Sequence, residues 1–184
     1  MPSTVASPQV PSDRSVARRL ARLRVPLGFV FGAAVLLLAR PSWLTLVVGG
    51  LVAVLGESLR VWAAGHVQKG REVTSSGPYR WSGHPLYLGS TVIGIGLVVA
   101  SASLVVAALV AAYLSITMTA AVRSEEAELN ARFGGVYAAY REGRAMPLAR
   151  AFSVERVWQN REQRTVAGLL AGWGLLALKI AFGL

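Results

Sequence analysis

Five apolar stretches, separated by polar and mostly basic segments, dominate the sequence. They cover residues 25–39, 43–64, 85–100, about 103–122 and 166–184. A helix that crosses the hydrocarbon core of a bilayer needs about 20 apolar residues, so the first stretch must be extended at one end to span it. The pattern predicts an all-α integral membrane bundle of about five transmembrane helices.

The third and fourth stretches are joined only by the residues around Ala102. So short a link forces two helices into an antiparallel hairpin. Pro85 opens the third stretch, and proline suits the first turn of a helix because its missing N–H would be unpaired there anyway. We therefore expect His84 just outside a helix N-terminus, at the mouth of a membrane segment.

A cytoplasmic amphipathic helix is predicted over residues 125–141, past the fourth span. Its apolar residues recur at helical spacing. We expect Gly134 and Gly135 to kink or split this helix, and Gly143 and Pro147 to end it. A second amphipathic stretch, residues 154–164, is expected at the level of the lipid headgroups. The apolar residues of the first helix are Leu129, Phe133, Val136, Tyr137 and Tyr140.

The charge of the chain supports a membrane location. Only 15% of its residues are charged, against about 25% in a typical soluble domain. The net charge of +10 lies mainly between the apolar stretches, where Lys and Arg set topology and meet anionic lipids, so no nucleic-acid partner is expected. Cysteine is absent, and two histidines are too few for a His-rich metal site, so no metal is expected.

The basic segments also predict an orientation. With five spans, the N-terminal arginines, the 64–84 loop and the 123–164 segment all lie on one side, which the positive-inside rule makes cytoplasmic. Residues 1–24 are predicted to be a disordered basic segment, and residues 25–184 a single membrane domain. The Ala-, Arg- and Gly-rich composition favours a bacterial inner membrane, with the polar clusters facing the cytoplasm.

Two polar clusters flank the predicted hairpin and are the first candidates for chemistry. His84 is expected either to cap its helix or to donate to an anionic group that the helix N-terminus also attracts. Its neutral form is expected, because the positive end of a helix dipole disfavours imidazolium. Glu125 and Glu126 are either solvated charges at the membrane edge or partners of a cationic ligand, and the residue types alone favour the first interpretation.

Other residues within the spans have equally open interpretations. Gly89, Gly94 and Gly96 fit close helix packing, as small residues do in membranes, or close approach to a ligand. Glu57 and Arg60 are spaced to form an ion pair on one helix face. Ionisable groups inside a span are also candidates for function.

Together these elements resemble the isoprenylcysteine carboxyl methyltransferase family, which groups with the phospholipid and phosphatidylethanolamine N-methyltransferases. The ordered set is GPY-R, HP-x-Y-x-G opening a span, a short hairpin, R-x-EE-x-x-L, FG-x-x-Y-x-x-Y and a nearby Pro. The resemblance covers roughly residues 57–147. The matching residues are Gly77, Pro78, Tyr79, Arg80, His84, Pro85, Tyr87, Gly89, Arg123, Glu125, Glu126, Leu129, Phe133, Gly134, Tyr137, Tyr140 and Pro147.

The resemblance implies an integral membrane enzyme that uses S-adenosylmethionine to methylate a carboxylate or similar head group of a lipophilic small molecule or lipid. Within the matched motif, Arg123 is predicted to hold a carboxylate acceptor, and Glu125 to remove the proton of an amine acceptor. A phospholipid N-methyltransferase and a non-catalytic membrane scaffold that keeps the fold remain the alternatives. The cofactor-binding residues that it implies are Tyr79, His84, Tyr87, Gly89, Gly94, Gly96, Glu125 and Glu126.

The chain departs from the family pattern at two places. The family usually reads RHP, and this chain has Gly83 where that Arg would stand. This puts one anion contact in doubt and favours the scaffold alternative. The second departure is the extra C-terminal span, residues 166–184, for which a lipid tunnel cap and a dimer face are both open.

Overall fold

The computed structural model describes residues 28, 30–144, 146 and 148–183, and these contain helices and no strand. The all-helical class predicted from the sequence is thereby confirmed. The predicted disordered segment, residues 1–24, lies outside the described residues. The helices are α1 (30–38), α2 (Trp43–Ala64), a 3₁₀ turn (Gly77–Arg80), α3 (Pro85–Ser101), α4 (Leu104–Arg141), α5 (Val154–Gln159) and α6 (Glu162–Phe182).

The chain divides into two compact units. The first ends at Leu37 and contains most of α1. The second, Leu38–Leu184, contains α2 to α6 and every residue of the sites described below.

Three of the described helices, α2, α4 and α6, are long and apolar enough to cross a membrane. Helix α3 is apolar but has only 17 residues. These helices are consistent with an integral membrane protein. The count of five spans stays a prediction.

Glycines let α2 and α3 pack with their backbones in close contact. A Cβ atom added to Gly96 of α3 would lie 2.6 Å from the carbonyl oxygen of Gly49 on α2. Two turns away along the same helix, a Cβ at Gly89 would lie 2.7 Å from the carbonyl oxygen of Gly56. Small residues allow such close approach between helices in a membrane, where van der Waals packing replaces the hydrophobic effect.

The ends of α3 follow the sequence closely. Pro85 occupies its first turn, and His84 is the N-cap residue. At the other end Ala102 adopts a left-handed conformation, and the side chain of Ser103 caps α4 by accepting from the backbone N–H of Val106. The predicted hairpin with a minimal link is therefore confirmed.

Helix α4 is longer than predicted. The predicted fourth span continues without a break into the first part of the predicted amphipathic helix, as far as Phe133, and Gly134 separates this long helix from the last turns up to Arg141. Residues 123–133 contain neither Gly nor Pro, and nothing in them stops the helix. The predicted kink is confirmed at Gly134, whose φ of 40° and ψ of −111° are not helical and suit glycine.

The second predicted amphipathic stretch, residues 154–164, is divided. Helix α5 ends at Gln159, Arg161 has a left-handed φ of 62°, and α6 already begins at Glu162. The side chain of Asn160 joins this turn to α2 by donating to the carbonyl oxygen of Ala64 at 2.9 Å. The last apolar helix is thus attached to the end of α2 where the candidate site lies.

Polar contacts also tie α5 and the segment before it to the loop after α2. Arg156 Nε donates to the carbonyl oxygen of Gly65 at 2.6 Å. Arg150 forms a bidentate ion pair with Glu72, and its Nη2 lies 2.7 Å from the carboxylate. These bonds fix the polar loop that leads into the 3₁₀ turn.

Candidate functional site

His84 lies between two carboxylates of α4. Its Nδ1 is 3.5 Å from Glu125 Oε2, and its Nε2 is 3.6 Å from Glu126 Oε1. His84 is held at the first turn of α3 by Pro85, and the two glutamates follow the apolar part of α4. The hairpin therefore joins the two polar clusters that the sequence places on either side of it.

The kink at Gly134 brings the end of α4 back to the same place. Beyond it, the hydroxyl of Tyr140 donates to the carbonyl oxygen of Tyr79 at 2.7 Å. Arg141 Nη1 lies 3.8 Å from Glu126 Oε1. The glutamates are thus bounded by α3 on one side and by the last turns of α4 on the other.

The electrostatics of His84 differ from the sequence-based expectation. The polar contact with Glu125 and the charge of that carboxylate raise the pKa of His84 above its ordinary value, with a smaller contribution from Glu126, although burial of the ring acts in the opposite direction. From the sequence, the helix dipole was expected to lower the pKa of His84, and this direction was wrong. That expectation left out the two carboxylates, which lie on another helix and favour imidazolium.

One nitrogen of His84 is available to a ligand. Nδ1 is buried and makes no well-formed hydrogen bond to a residue that the structure describes, since its 3.5 Å separation from Glu125 is too long for one. A buried, unsatisfied polar atom is costly unless a ligand or water pairs with it. The ring of Tyr87 lies beside it, with ring centroids 5.7 Å apart.

Tyr79 contributes to the site mainly through its backbone. Its side chain is buried in an apolar cluster with Ala63 and Val67, and burial raises the pKa of its hydroxyl, which therefore stays neutral. Its carbonyl oxygen anchors Tyr140. The preceding Gly77 has a φ of 55°, and a Cβ there would lie 2.5 Å from the ring of His66.

The three glycines predicted to bind cofactor lie in helix contacts. Gly89 and Gly96 face α2, as described above, and a Cβ at Gly94 would lie 2.6 Å from Leu114 Cδ1 of α4. Packing explains all three, and their role in binding a cofactor stays a prediction.

Arg123 is exposed and makes no hydrogen bond or ion pair with any described residue. It stands two positions before Glu125 on α4, so it belongs to the same end of the hairpin. Its catalytic role stays a prediction. Gly83, which stands where the family usually has Arg, is also exposed. A Cβ there would meet nothing within 4 Å, so the structure has room for a side chain at this position.

Two ionic contacts were missed from the sequence. Arg141 was not singled out, because only the kink at Gly134 brings it to Glu126. The predicted Glu57–Arg60 pair is present at 3.7 Å, but Arg60 forms a bidentate pair with Glu162 of α6, with a closest distance of 2.8 Å. No sequence signal links residues 60 and 162, which lie far apart along the chain.

Comparison with known proteins gives one match. No curated protein and no solved structure matches this chain. The family profile described as phospholipid methyltransferase matches residues 30–135, more than half of the chain, and this range includes His84, Glu125 and Glu126. The chain therefore belongs to the phospholipid methyltransferase family, which implies methyltransferase activity at a membrane.

Proposed function

We propose that the protein is an integral membrane methyltransferase that uses S-adenosylmethionine to methylate the polar head of a lipophilic acceptor. The observation that carries this proposal is the convergence of His84, Glu125 and Glu126 at one end of the α3–α4 hairpin. Its setting among apolar helices favours an acceptor that reaches the site from the bilayer. The family match supports methyl transfer as the reaction.

The residues of the site fit the cofactor. When bound, S-adenosylmethionine supplies an electrophilic methyl group on a sulfonium. Glu125 and Glu126 suit its cationic groups and its ribose hydroxyls. His84 and the positive end of the α3 helix dipole suit its carboxylate, since helix N-termini favour anions. The buried Nδ1 of His84, which makes no well-formed hydrogen bond with the described residues, is the observation that supports a bound ligand.

The kinked end of α4 would hold and shield these groups. Tyr140 fixes it to the loop before α3, and Tyr137 is buried, so that burial and then the charge of Glu126 raise the pKa of its hydroxyl. Exclusion of water strengthens electrostatic interactions within a site. Methyl transfer is an in-line displacement, so correct positioning of the acceptor supplies much of the rate.

The acceptor is proposed to be a carboxylate or a similar head group. Arg123 would hold the carboxylate, and no base is required because a carboxyl group is already ionised near neutral pH. The second candidate acceptor is the amine of a phospholipid. It is favoured by Glu125, a carboxylate beside the site that suits removal of a proton from an amine.

The two acceptors differ in the pH dependence of the single-turnover rate with labelled cofactor and a lipid extract. With a carboxylate acceptor the rate should stay flat above about pH 6, and Arg123→Ala should lower it. A steep alkaline rise, with full activity retained in Arg123→Ala, would establish the amine instead. Absence of any labelled lipid product would contradict methyl transfer to a lipid altogether.

The non-catalytic scaffold is tested at Gly83. Because a Cβ there meets nothing within 4 Å and its φ is not in the left-handed region, Gly83→Arg should fold normally. If the wild-type chain binds no cofactor and Gly83→Arg does, the missing Arg has disabled the site. Comparable binding by both chains would show that Gly83 is compatible with function.

The site is proposed to face the cytoplasm, from a bacterial inner membrane. The clustering of Lys and Arg in the segments around it supports this orientation. A polar cofactor made in the cytoplasm would then reach the site directly.

A further inference from the structure

Arg60 of α2 lies where three helices meet. Its Nε and Nη2 donate to the carboxylate of Glu162 on α6, at 3.2 and 2.8 Å. Its Nη1 bonds to two groups of α3, the hydroxyl of Ser90 and, at 3.3 Å, the carbonyl oxygen of Leu86. The guanidinium therefore joins α6 to the first turns of α3, whose N-cap residue is His84.

Glu162 is held in place by contacts other than those with Arg60. It is 3% exposed and occupies the first turn of α6, where the positive end of the helix dipole favours a carboxylate. Asn160, just before α6, donates to the carbonyl oxygens of Ala64 and Val67 at the end of α2, at 2.9 and 3.2 Å. The start of α6 is therefore a fixed support for the guanidinium.

Glu57, one turn before Arg60 on α2, does not orient the guanidinium in the same way. Its Oε2 lies 3.7 Å from Arg60 Nε, and neither of its oxygens has a hydrogen-bond partner among the described residues. That separation is too long for a well-formed hydrogen bond, whereas the pair with Glu162 is bidentate. The orientation of Arg60 therefore depends on Glu162, and Glu57 is a matched carboxylate for comparison.

The contact of Arg60 with α3 is close because Gly89 has no side chain. A Cβ at Gly89 would lie 2.6 Å from Arg60 Cγ, so the arginine stem could not keep its place. The same end of α3 is bound to His84, whose carbonyl oxygen accepts from the backbone N–H groups of Tyr87 and Leu88, both at 3.1 Å. A displacement of the first turn of α3 would therefore move His84 with it.

We propose that Glu162 is a positioning residue of the cofactor site: through Arg60 it holds the first turn of α3 so that His84 lies between the two carboxylates of α4. The ring nitrogens of His84 are 3.5 and 3.6 Å from these carboxylates, so any further displacement weakens the interaction. Glu162 lies outside residues 30–135, which the family profile matches. Its effect on cofactor binding rests on the proposed function, whereas its effect on His84 does not.

NMR of the full chain in detergent, with isotope-labelled histidine, tests the positioning without any ligand. The chain has two histidines, and a His84→Ala sample identifies the signal of each ring. Contact with Glu125 raises the pKa of His84, and burial lowers that of His66, so the two rings titrate in different ranges. Glu162→Gln should return the pKa of His84 towards its ordinary value of about 6.5, because the ring is no longer held between the carboxylates.

Equilibrium binding of S-adenosylmethionine measures the consequence for the site. Glu162→Gln should weaken binding to the folded protein by roughly three- to thirtyfold, the range for residues that act on a site through others. In a His84→Ala background the same substitution should have little further effect, because its route to the cofactor has been removed. Glu57→Gln removes an equal charge beside Arg60 and should change neither this affinity nor the titration of His84.

A second variant keeps the test independent of folding. Glu162→Gln leaves the buried guanidinium of Arg60 without its main partner, and such a loss is strongly destabilising. Glu162→Asp keeps the charge and shortens the side chain by one carbon, so it should fold even if Glu162→Gln does not. We expect it to change the titration of His84 and the cofactor affinity in the same direction as Glu162→Gln, by a smaller amount.

Three results would overturn the proposal. The first is a wild-type titration of His84 in folded Glu162→Gln or in Glu162→Asp, which would reduce the ion pair to a fastening of α6. The second is an equal change in Glu57→Gln, which would indicate a general effect of buried charge. The third is an unchanged cofactor affinity in a variant whose His84 titration has moved. Absence of cofactor binding by wild type would instead refute the proposed function, and the titration would still report on Glu162.

Discussion

Replacement of Gly96 by Ala distinguishes a packing role from a cofactor role for the glycines of α3. The added Cβ would lie 2.6 Å from the carbonyl oxygen of Gly49, 2.8 Å from the amide nitrogen of Ala53 and 3.0 Å from its Cβ. Two of these atoms belong to the backbone of α2, so relief requires α2 and α3 to separate. Overpacking of this kind typically costs about 1–3 kcal/mol.

Helix propensity partly conceals that cost. Replacing Gly by Ala within a helix is itself favourable by up to about 1 kcal/mol. Gly168→Ala on α6 is the matched control, because a Cβ there would meet nothing within 4 Å. Both variants gain the same helix propensity, so the difference between their unfolding free energies reports only the cost of the contact between the added Cβ and α2. We expect Gly96→Ala to be less stable than Gly168→Ala by about 1–3 kcal/mol.

The assay is denaturant unfolding of both variants in the same detergent, together with cofactor binding at a temperature where both are folded. A packing role requires lower stability with unchanged cofactor affinity per folded molecule. Equal stability of the two variants, with loss of cofactor affinity only in Gly96→Ala, would refute the packing role. It would also confirm the role that the family resemblance implies.

Three further predictions concern the site and its orientation. Because the pKa of His84 is raised in the folded protein, imidazolium stabilises the fold below the unfolded pKa of about 6.5, and this stabilisation is lost as pH rises through the folded value. The loss of Tm in His84→Ala should therefore be larger at pH 6 than at pH 9, and an equal loss at both would contradict the shift. Tyr140→Phe removes the hydrogen bond to Tyr79 and should lower the unfolding free energy by about 1 kcal/mol and slow methyl transfer, whereas unchanged stability and rate would show that the kinked segment is not held there. A Ser42→Cys thiol, the only one in the chain, should react with an impermeant reagent from outside intact cells, and labelling only from the cytoplasmic side would reverse the proposed orientation.

The local signals of the sequence predicted helix ends well. Pro85 marks the start of α3, the residues around Ala102 mark the hairpin, and Gly134 marks the kink in α4. The first and the last are backbone preferences of one residue type that tertiary structure did not override, whereas the hairpin was predicted from the shortness of its link. The helix continues beyond residue 122, where the fourth span is predicted to end, because a change from apolar to polar residues marks the membrane edge and does not by itself end a helix.

The hydrophobic pattern of the sequence could not predict which side chains of different helices come into contact. His84 and Glu126 come together because the hairpin is short, and the two polar clusters that flank it predicted a common site, although not which of their atoms meet. Glu162 was not considered, although it holds Arg60 more closely than the neighbouring Glu57 does. Helical spacing identifies partners within one helix, whereas contact between α2 and α6 depends on how the helices pack.

Equilibrium binding of S-adenosylmethionine to the purified chain tests most directly whether His84 and Glu126 form a cofactor site. Wild type should bind, and His84→Ala and Glu126→Gln should each weaken binding by about one to two decades, the effect of losing one charge-assisted hydrogen bond. Glu128 is an exposed carboxylate two residues further along α4, and the variant Glu128→Gln should bind cofactor as wild type does. No binding by wild type, or the same affinity in all four proteins, would contradict a cofactor site at His84.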